Sequence, residues 1–123
     1  MTTHIRNTDL AWIDVGSLDA IAQRGSRRVM TDLGVVAVFR TGDDRVFALL
    51  DQCPHKKGPL SEGIVHGASV TCPLHGFVID LASGEPTGAD AGKGCTPTLP
   101  VRVTAAGRIE LARPVVIREA DAA

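Results

Sequence analysis

Two short stretches decide how this chain is read: Cys53-Pro54-His55-Lys56-Lys57-Gly58-Pro59 and Thr71-Cys72-Pro73-Leu74-His75-Gly76-Phe77. Each holds one cysteine and one histidine, with proline directly after the cysteine. The pattern is C-x-H, sixteen intervening residues, then C-x-x-H. Each box follows a run of strand-forming residues, so each is expected on a loop held by a rigid scaffold. Converging, the two loops would bring together two thiolates and two imidazoles, a four-ligand metal set.

Several chemistries compete for that set. A buried structural cysteine beside an exposed histidine would have to occur twice. A nucleophilic Cys–His pair leaves the repeat, with proline at the same offset, unexplained. Structural zinc accepts two cysteines and two histidines, but zinc fingers usually group Cys with Cys and His with His. A Rieske [2Fe–2S] centre fits best, because there two cysteines hold one iron and two histidines the other. Loops that each supply one of each clamp both ends of the iron–sulfur rhomb. On this reading Cys53 and Cys72 bind the inner iron, and His55 and His75 the outer. The oxidised cluster is then neutral, whereas an all-thiolate cluster starts with two negative charges. Adding an electron meets less repulsion, which places the potential higher.

Outward from the boxes the chain is rich in short strands and turns. Ala11–Val15, Arg28–Thr31, Val35–Arg40 and Val46–Leu50 read as strands, with a hairpin turn at Thr41-Gly42-Asp43-Asp44. Ser17–Ile21 reads as one capped helical turn stopped near Gly25. Ser69–Thr71 and Phe77–Asp80 lie between two loop-rich stretches, Asp51–Gly67 and Leu81–Thr98. A last hairpin runs Val101–Thr104, turns at Ala105-Ala106-Gly107 and returns through Arg108–Leu111. Val115–Ile117 is expected as an extra edge strand. Strands this short and evenly spaced predict an all-β fold, an antiparallel sandwich or small barrel. The Gly/Pro-rich stretch Gly84–Pro97 is long for a plain connection and is expected to cover or line a site.

Composition narrows the function classes. The 123 residues make one domain, 1–123. Thirteen Lys and Arg against fourteen Asp and Glu give a net charge of −1, which argues against a nucleic-acid binder. A hydrophobic content of 44% argues against disorder. No apolar run approaches the ~20 residues of a membrane helix. The N-terminal stretch lacks the apolar segment of a secretory signal, so the cytoplasm is expected. Three cysteines, an odd number, make a poor disulfide framework and favour metal or thiol chemistry.

With these residues on the page, the chain resembles a family. CPHKKGPLSEGIVHG (53–67), TCPLHGFVIDLASGE (71–85) and GCTPTLPVRV (94–103) resemble the small subunit of assimilatory NAD(P)H-dependent nitrite reductase, over roughly Ala11 to Leu111. The two boxes specify only the Rieske superfamily; Lys56–Val65, Val78–Glu85 and Cys95–Val103 tilt the match to nitrite reductase. The resemblance implies a Rieske fold, a β-sandwich base with a small cluster-binding subdomain at 51–80. It implies a [2Fe–2S] cluster on Cys53, His55, Cys72 and His75. It also implies a large-subunit partner carrying flavin, an iron–sulfur cluster and sirohaem, where nitrite becomes ammonium in nitrate assimilation. The chain would then be an electron-carrying subunit of an enzyme, with no substrate site of its own. A Rieske ferredoxin serving an aromatic-ring dioxygenase shares the boxes and the size. A structural assembly subunit on the same fold is a third reading.

The resemblance also informs by absence. Respiratory Rieske proteins carry an extra cysteine in each box, joined as a disulfide beside the cluster. The matching positions here are Gly58 and Leu74. Those proteins place Ser and Tyr hydroxyls where Phe77 and Ile79 stand, so a potential toward the low end of the Rieske range is expected. Elsewhere the bland readings lead. Cys95 is expected as a small packed residue, His66 as a surface residue in a turn, and Trp12 and Met30 as core. His4 falls in the N-terminal stretch and has no assigned role. Lys56 and Lys57 either steer an acidic partner or are simply solvated.

Overall fold

A computed structural model describes residues 10–31, 33–54, 58–74 and 76–114. Among the described residues the chain is all-β, with ten antiparallel strands in three sheets. The first sheet has the order β1-β10-β9, from β1 (Leu10–Ser17), β9 (Val101–Val103) and β10 (Arg108–Pro114). The second has the order β2-β3-β4-β8, from β2 (Gly25–Thr31), β3 (Gly34–Arg40), β4 (Val46–Leu50) and β8 (Thr98–Leu99). The third is the meander β5 (Ile64–His66), β6 (Ser69–Thr71) and β7 (Val78–Asp80).

The run Val36-Ala37-Val38-Phe39 on β3 is buried throughout. Alternation along a strand sends neighbours to opposite faces, so a continuous apolar run means that both faces are covered. Ala37, Phe39 and Leu49 join one core with Leu60, Val65, Val70, Ile79 and Leu81, and with Cys53 and Cys72. Val36, Val38 and Ala48 join the other, with Ile21, Leu99, Ile109 and Leu111. The strand register keeps these sets apart, since Ala37 faces Leu49 and Val38 faces Ala48. The four-stranded sheet is therefore a central wall, with the two cysteines packed on one side of it.

The hairpin turn at 41–44 joins β3 to β4 as expected, and Ser17 caps the 3₁₀ turn Leu18–Ala20 by accepting from the Asp19 amide. The stretch 84–97 is more ordered than a plain loop: Pro86 bridges to Ile79, and a 3₁₀ turn forms at Gly88–Asp90. Short strands β5 and β8 escaped the sequence reading: Ile64–His66 falls inside the stretch 51–67 read as loop, and the two residues Thr98–Leu99 straddle the end of the stretch 81–98. Two core expectations fail. Met30 is 77% exposed, because it lies on β2, the outermost strand of its sheet. Trp12 is only half-buried, and its ring is covered by the Arg102 guanidinium at 3.9 Å. The expected strand Val115–Ile117 and the residue His4 lie outside the described residues. Among the described residues no helix is long and apolar enough to cross a membrane.

Candidate metal centre

The two boxes sit on loops closed in the same way. The Cys53 amide donates to the Gly58 carbonyl at 2.8 Å, and the Cys72 amide donates to the Phe77 carbonyl at 2.7 Å. Each cysteine thus opens a loop that its own backbone closes five residues later. β4 leads into the first loop; β6 and β7 flank the second. Gly76 has φ of 75°, a left-handed conformation that glycine adopts without a Cβ penalty, and it turns the second loop back into β7.

Both cysteines are buried, at 1% and 2% exposure, and neither is in a disulfide. Their side chains lie within interaction range of each other. The Leu74 amide donates to Cys72 Sγ at 3.4 Å. Burial pushes the Cys72 thiol above its ordinary pKa, the Leu74 amide opposes this, and the neighbouring Cys53 raises it further. Left alone, Cys72 favours the neutral thiol. A bound cation inverts that preference and draws both sulfurs to thiolates.

Of the four residues expected at the centre, the structure brings Cys53 and Cys72 together; His55 and His75 lie outside the described residues, as do Lys56 and Lys57. Among the described residues no group of three or more His, Cys, Asp or Glu side chains converges. His66 lies on β5, exposed, with Nε2 2.7 Å from Thr71 Oγ1. Cys95 is exposed, against expectation. Its neighbour Thr96 takes the buried place instead, donating through Oγ1 to the Gln52 carbonyl at 2.8 Å.

The stretch 84–97 lies over both boxes. A Cβ on Gly94 would sit 3.2 Å from Pro54 Cβ, and Lys93 Nζ lies 5.9 Å from the centroid of the Phe77 ring. Gly84 anchors the start of this strap. Its carbonyl accepts from the Thr96 amide at 2.7 Å, and its φ of 76° leaves no room for a Cβ against the Thr96 carbonyl. Sequence reasoning found the length of this strap but not its contacts. It also missed Asp51 and Ser61, whose side chains tie the base of the first loop. The one signal available was an acidic residue at a buried strand end.

The surroundings match known proteins. A family model describing the Rieske [2Fe–2S] domain matches residues 11–100. The anthranilate 1,2-dioxygenase ferredoxin subunit of Burkholderia cepacia is 38% identical over 93 residues, 75% of this chain and 79% of that protein. A candidate NADH-dependent nitrite reductase small subunit from Mycobacterium tuberculosis superposes with a TM-score of 0.78 at 29% identity, covering 87% of this chain and 98% of that one. The ferredoxin of carbazole 1,9a-dioxygenase from Nocardioides aromaticivorans IC177 superposes at 0.72 with 28% identity, covering 84% and 97%. The buried, unbridged sulfur pair fits the thiolate end of a Rieske-type [2Fe–2S] cluster, the cofactor that goes with this domain.

Proposed function

Since the chain belongs to the Rieske [2Fe–2S] domain family, we propose that it is the electron-transfer small subunit of an NAD(P)H-dependent nitrite reductase. Cys53 and Cys72 hold the inner iron and His55 and His75 the outer, within a cluster-binding subdomain spanning 51–80. When bound, the cluster accepts and passes on one electron at a time. The chain's own residues do the rest. The closed loops fix the two sulfurs, the Leu74 amide supports the charge on Cys72 Sγ, and the central wall keeps water from the thiolate side. The partner is a large subunit carrying flavin and sirohaem, in the cytoplasm.

The observation that carries this reading is the higher TM-score on the Mycobacterium tuberculosis chain, 0.78 against 0.72 for the carbazole dioxygenase ferredoxin. The resemblance of the segment Cys95–Val103 to the nitrite reductase family supports it, and within that segment Thr96 donates to the Gln52 carbonyl beside the first box. A second reading has its own support: the 38% identity to a dioxygenase ferredoxin subunit favours a free-standing carrier for an oxygenase. Both readings share the cluster and differ in the acceptor.

Reconstitution separates them. The sirohaem-containing large subunit with this chain should reduce nitrite faster than the large subunit alone. Full rescue by cluster-free His75→Ala would make the role structural. No effect there, with rapid reduction of a ring-hydroxylating oxygenase, would establish the ferredoxin reading instead. If Lys56 and Lys57 steer an acidic partner, Lys56→Glu with Lys57→Glu weakens binding most at low salt.

A further inference from the structure

Asp51 lies just before the first box loop and is one of three buried polar or charged residues among the described ones, with only 2% of its side chain exposed. It immediately follows β4 and precedes Cys53 by two residues. Its Oδ1 accepts from the Ser61 amide at 2.7 Å, and its Oδ2 accepts from Ser61 Oγ at 2.7 Å. Oδ2 also meets Arg28 Nε at 3.1 Å. Ser61 lies beyond the loop, in the 3₁₀ turn Leu60–Glu62, and its carbonyl accepts from Ser26 Oγ on β2 at 2.8 Å. The loop closed between Cys53 and Gly58 is thus nested inside a second closure between residues 51 and 61, made by two hydrogen bonds to a carboxylate that also pairs with Arg28.

Two consequences follow from the chemistry. A carboxylate held by two donors from one residue fixes the distance between the entry and exit of the loop, so Cys53 is placed before any metal arrives. The same carboxylate is a negative charge within two residues of a cluster thiolate. Buried charges are weakly screened, and a negative one opposes the arrival of an electron. Arg28 offsets it only in part, because 60% of that side chain faces solvent.

We propose that Asp51 is a positioning residue for the first ligand loop, and that the Asp51–Arg28 pair sets the reduction potential of the cluster, Asp51 lowering it and Arg28 raising it. This rests on the assignment of Cys53 as a ligand. The shape of the ion pair makes the two effects opposite in sign, which a merely structural role would not produce.

The test is an EPR-monitored redox titration of cluster-loaded wild type, Asp51→Asn, Arg28→Gln and the double variant, with circular dichroism to check the fold. Asp51→Asn should raise the potential. Arg28→Gln should lower it by a smaller amount that fades as salt is added. The double variant should fall between the single variants. Iron release to a chelator should quicken in Asp51→Asn and in Ser61→Ala, and stay at the wild-type rate in Arg102→Gln, which is remote on the first sheet. If Asp51→Asn does not fold, the lowered potential of Arg28→Gln and the faster release from Ser61→Ala carry the proposal. Shifts of one sign, or none, in a loaded protein overturn the tuning; unchanged release from Ser61→Ala overturns the positioning. A wild-type chain that takes up no iron overturns the ligand assignment and the proposal with it.

Discussion

Gly58 and Leu74 meet between the two box loops: a Cβ built on Gly58 would lie 2.7 Å from Leu74 Cδ1 and 3.5 Å from Cys72 Sγ. These are the positions where respiratory relatives carry their disulfide. Here an absent side chain lets a leucine lean into the gap, and the loops are joined by packing instead of a bond. The same leucine supplies the amide that donates to Cys72 Sγ.

That contact makes a bridge engineerable. Gly58→Cys with Leu74→Cys should close a disulfide under mild oxidation, because the Gly58 side-chain direction already points at residue 74. Intact mass spectrometry before and after reduction should show the loss of two protons. Five free thiols after oxidation, rather than the three native ones, would mean that the loops stand further apart in solution.

The proposed ligand set predicts a reddish-brown protein with two irons and two acid-labile sulfides per chain. Cys53→Ser, His55→Ala, Cys72→Ser and His75→Ala should each remove or badly damage the cluster. Cys95→Ser and His66→Ala should not, since one side chain is exposed and the other is engaged with Thr71. Visible absorption and iron analysis decide it. Stoichiometric zinc without iron, in protein from iron-replete anaerobic growth, would falsify the assignment.

The potential should lie toward the low end of the Rieske range of roughly −150 to +300 mV. The side chains of Phe77 and Ile79 carry no N–H or O–H to offer a sulfur, so the reduced cluster is less well stabilised. Phe77→Ser should raise the potential where the new hydroxyl reaches the cluster, and voltammetry would show it. Ile79→Tyr is the poorer probe. Ile79 is fully buried, pairs with Val70 and bridges Pro86, so a larger ring overpacks the core before it reaches any sulfur. A wild-type value in the high respiratory range would remove the argument from missing donors.

Acid should loosen the first sheet through one ion pair. The Arg108 guanidinium donates to both Asp14 oxygens at 2.9 Å, and that contact, helped by the Gly16 amide, holds the Asp14 carboxyl below its ordinary pKa of 3.8. A carboxyl with a depressed folded pKa contributes stability that is present above its unfolded value and lost as pH falls through the folded one. Asp14→Asn should therefore melt slightly below wild type at neutral pH. The gap should close at pH values below the ordinary carboxylate range. The effect is small because both side chains are about half exposed. A gap that persists unchanged in acid would assign it to packing.

Much of this was legible in the chain itself, for identifiable reasons. A Cys-Pro with a histidine close behind it, twice over, reports chemistry without help from tertiary structure, and the cluster type it pointed to agrees with the Rieske domain match. The alternating or continuous apolar runs of β3 and β4 report burial equally well. Met30 and Trp12 were misread because hydrophobicity says which residues can be buried, while strand order says which are. Met30 lies on an outermost strand, and Trp12 found an arginine to cover its ring. Asp51 was missed because its partners are ten and twenty-three residues away, and only the folded chain brings Ser61 and Arg28 to it. Cys95 and Thr96 exchanged roles for a similar reason: the strap needed a hydroxyl to reach the Gln52 carbonyl, not a small apolar filler.

The doubly covered sheet changes what keeps β3 in place. In a strand with one wet face, slipping by one residue would drown its apolar side chains, and polarity alone forbids the error. β3 has no such safeguard, because Val36, Ala37, Val38 and Phe39 are all buried. What resists the slip is volume. Phe39 fits on the face with the cysteines, while valines occupy the face toward Ile109 and Leu111. Exchanging them would force an aromatic ring into space shaped for smaller groups and leave a void beneath Cys53 and Cys72, and such cavities cost about 24 cal/mol per Å³. Alignment of this strand is thus enforced by size, with a phenylalanine that never touches solvent filling the core that Cys53 and Cys72 share.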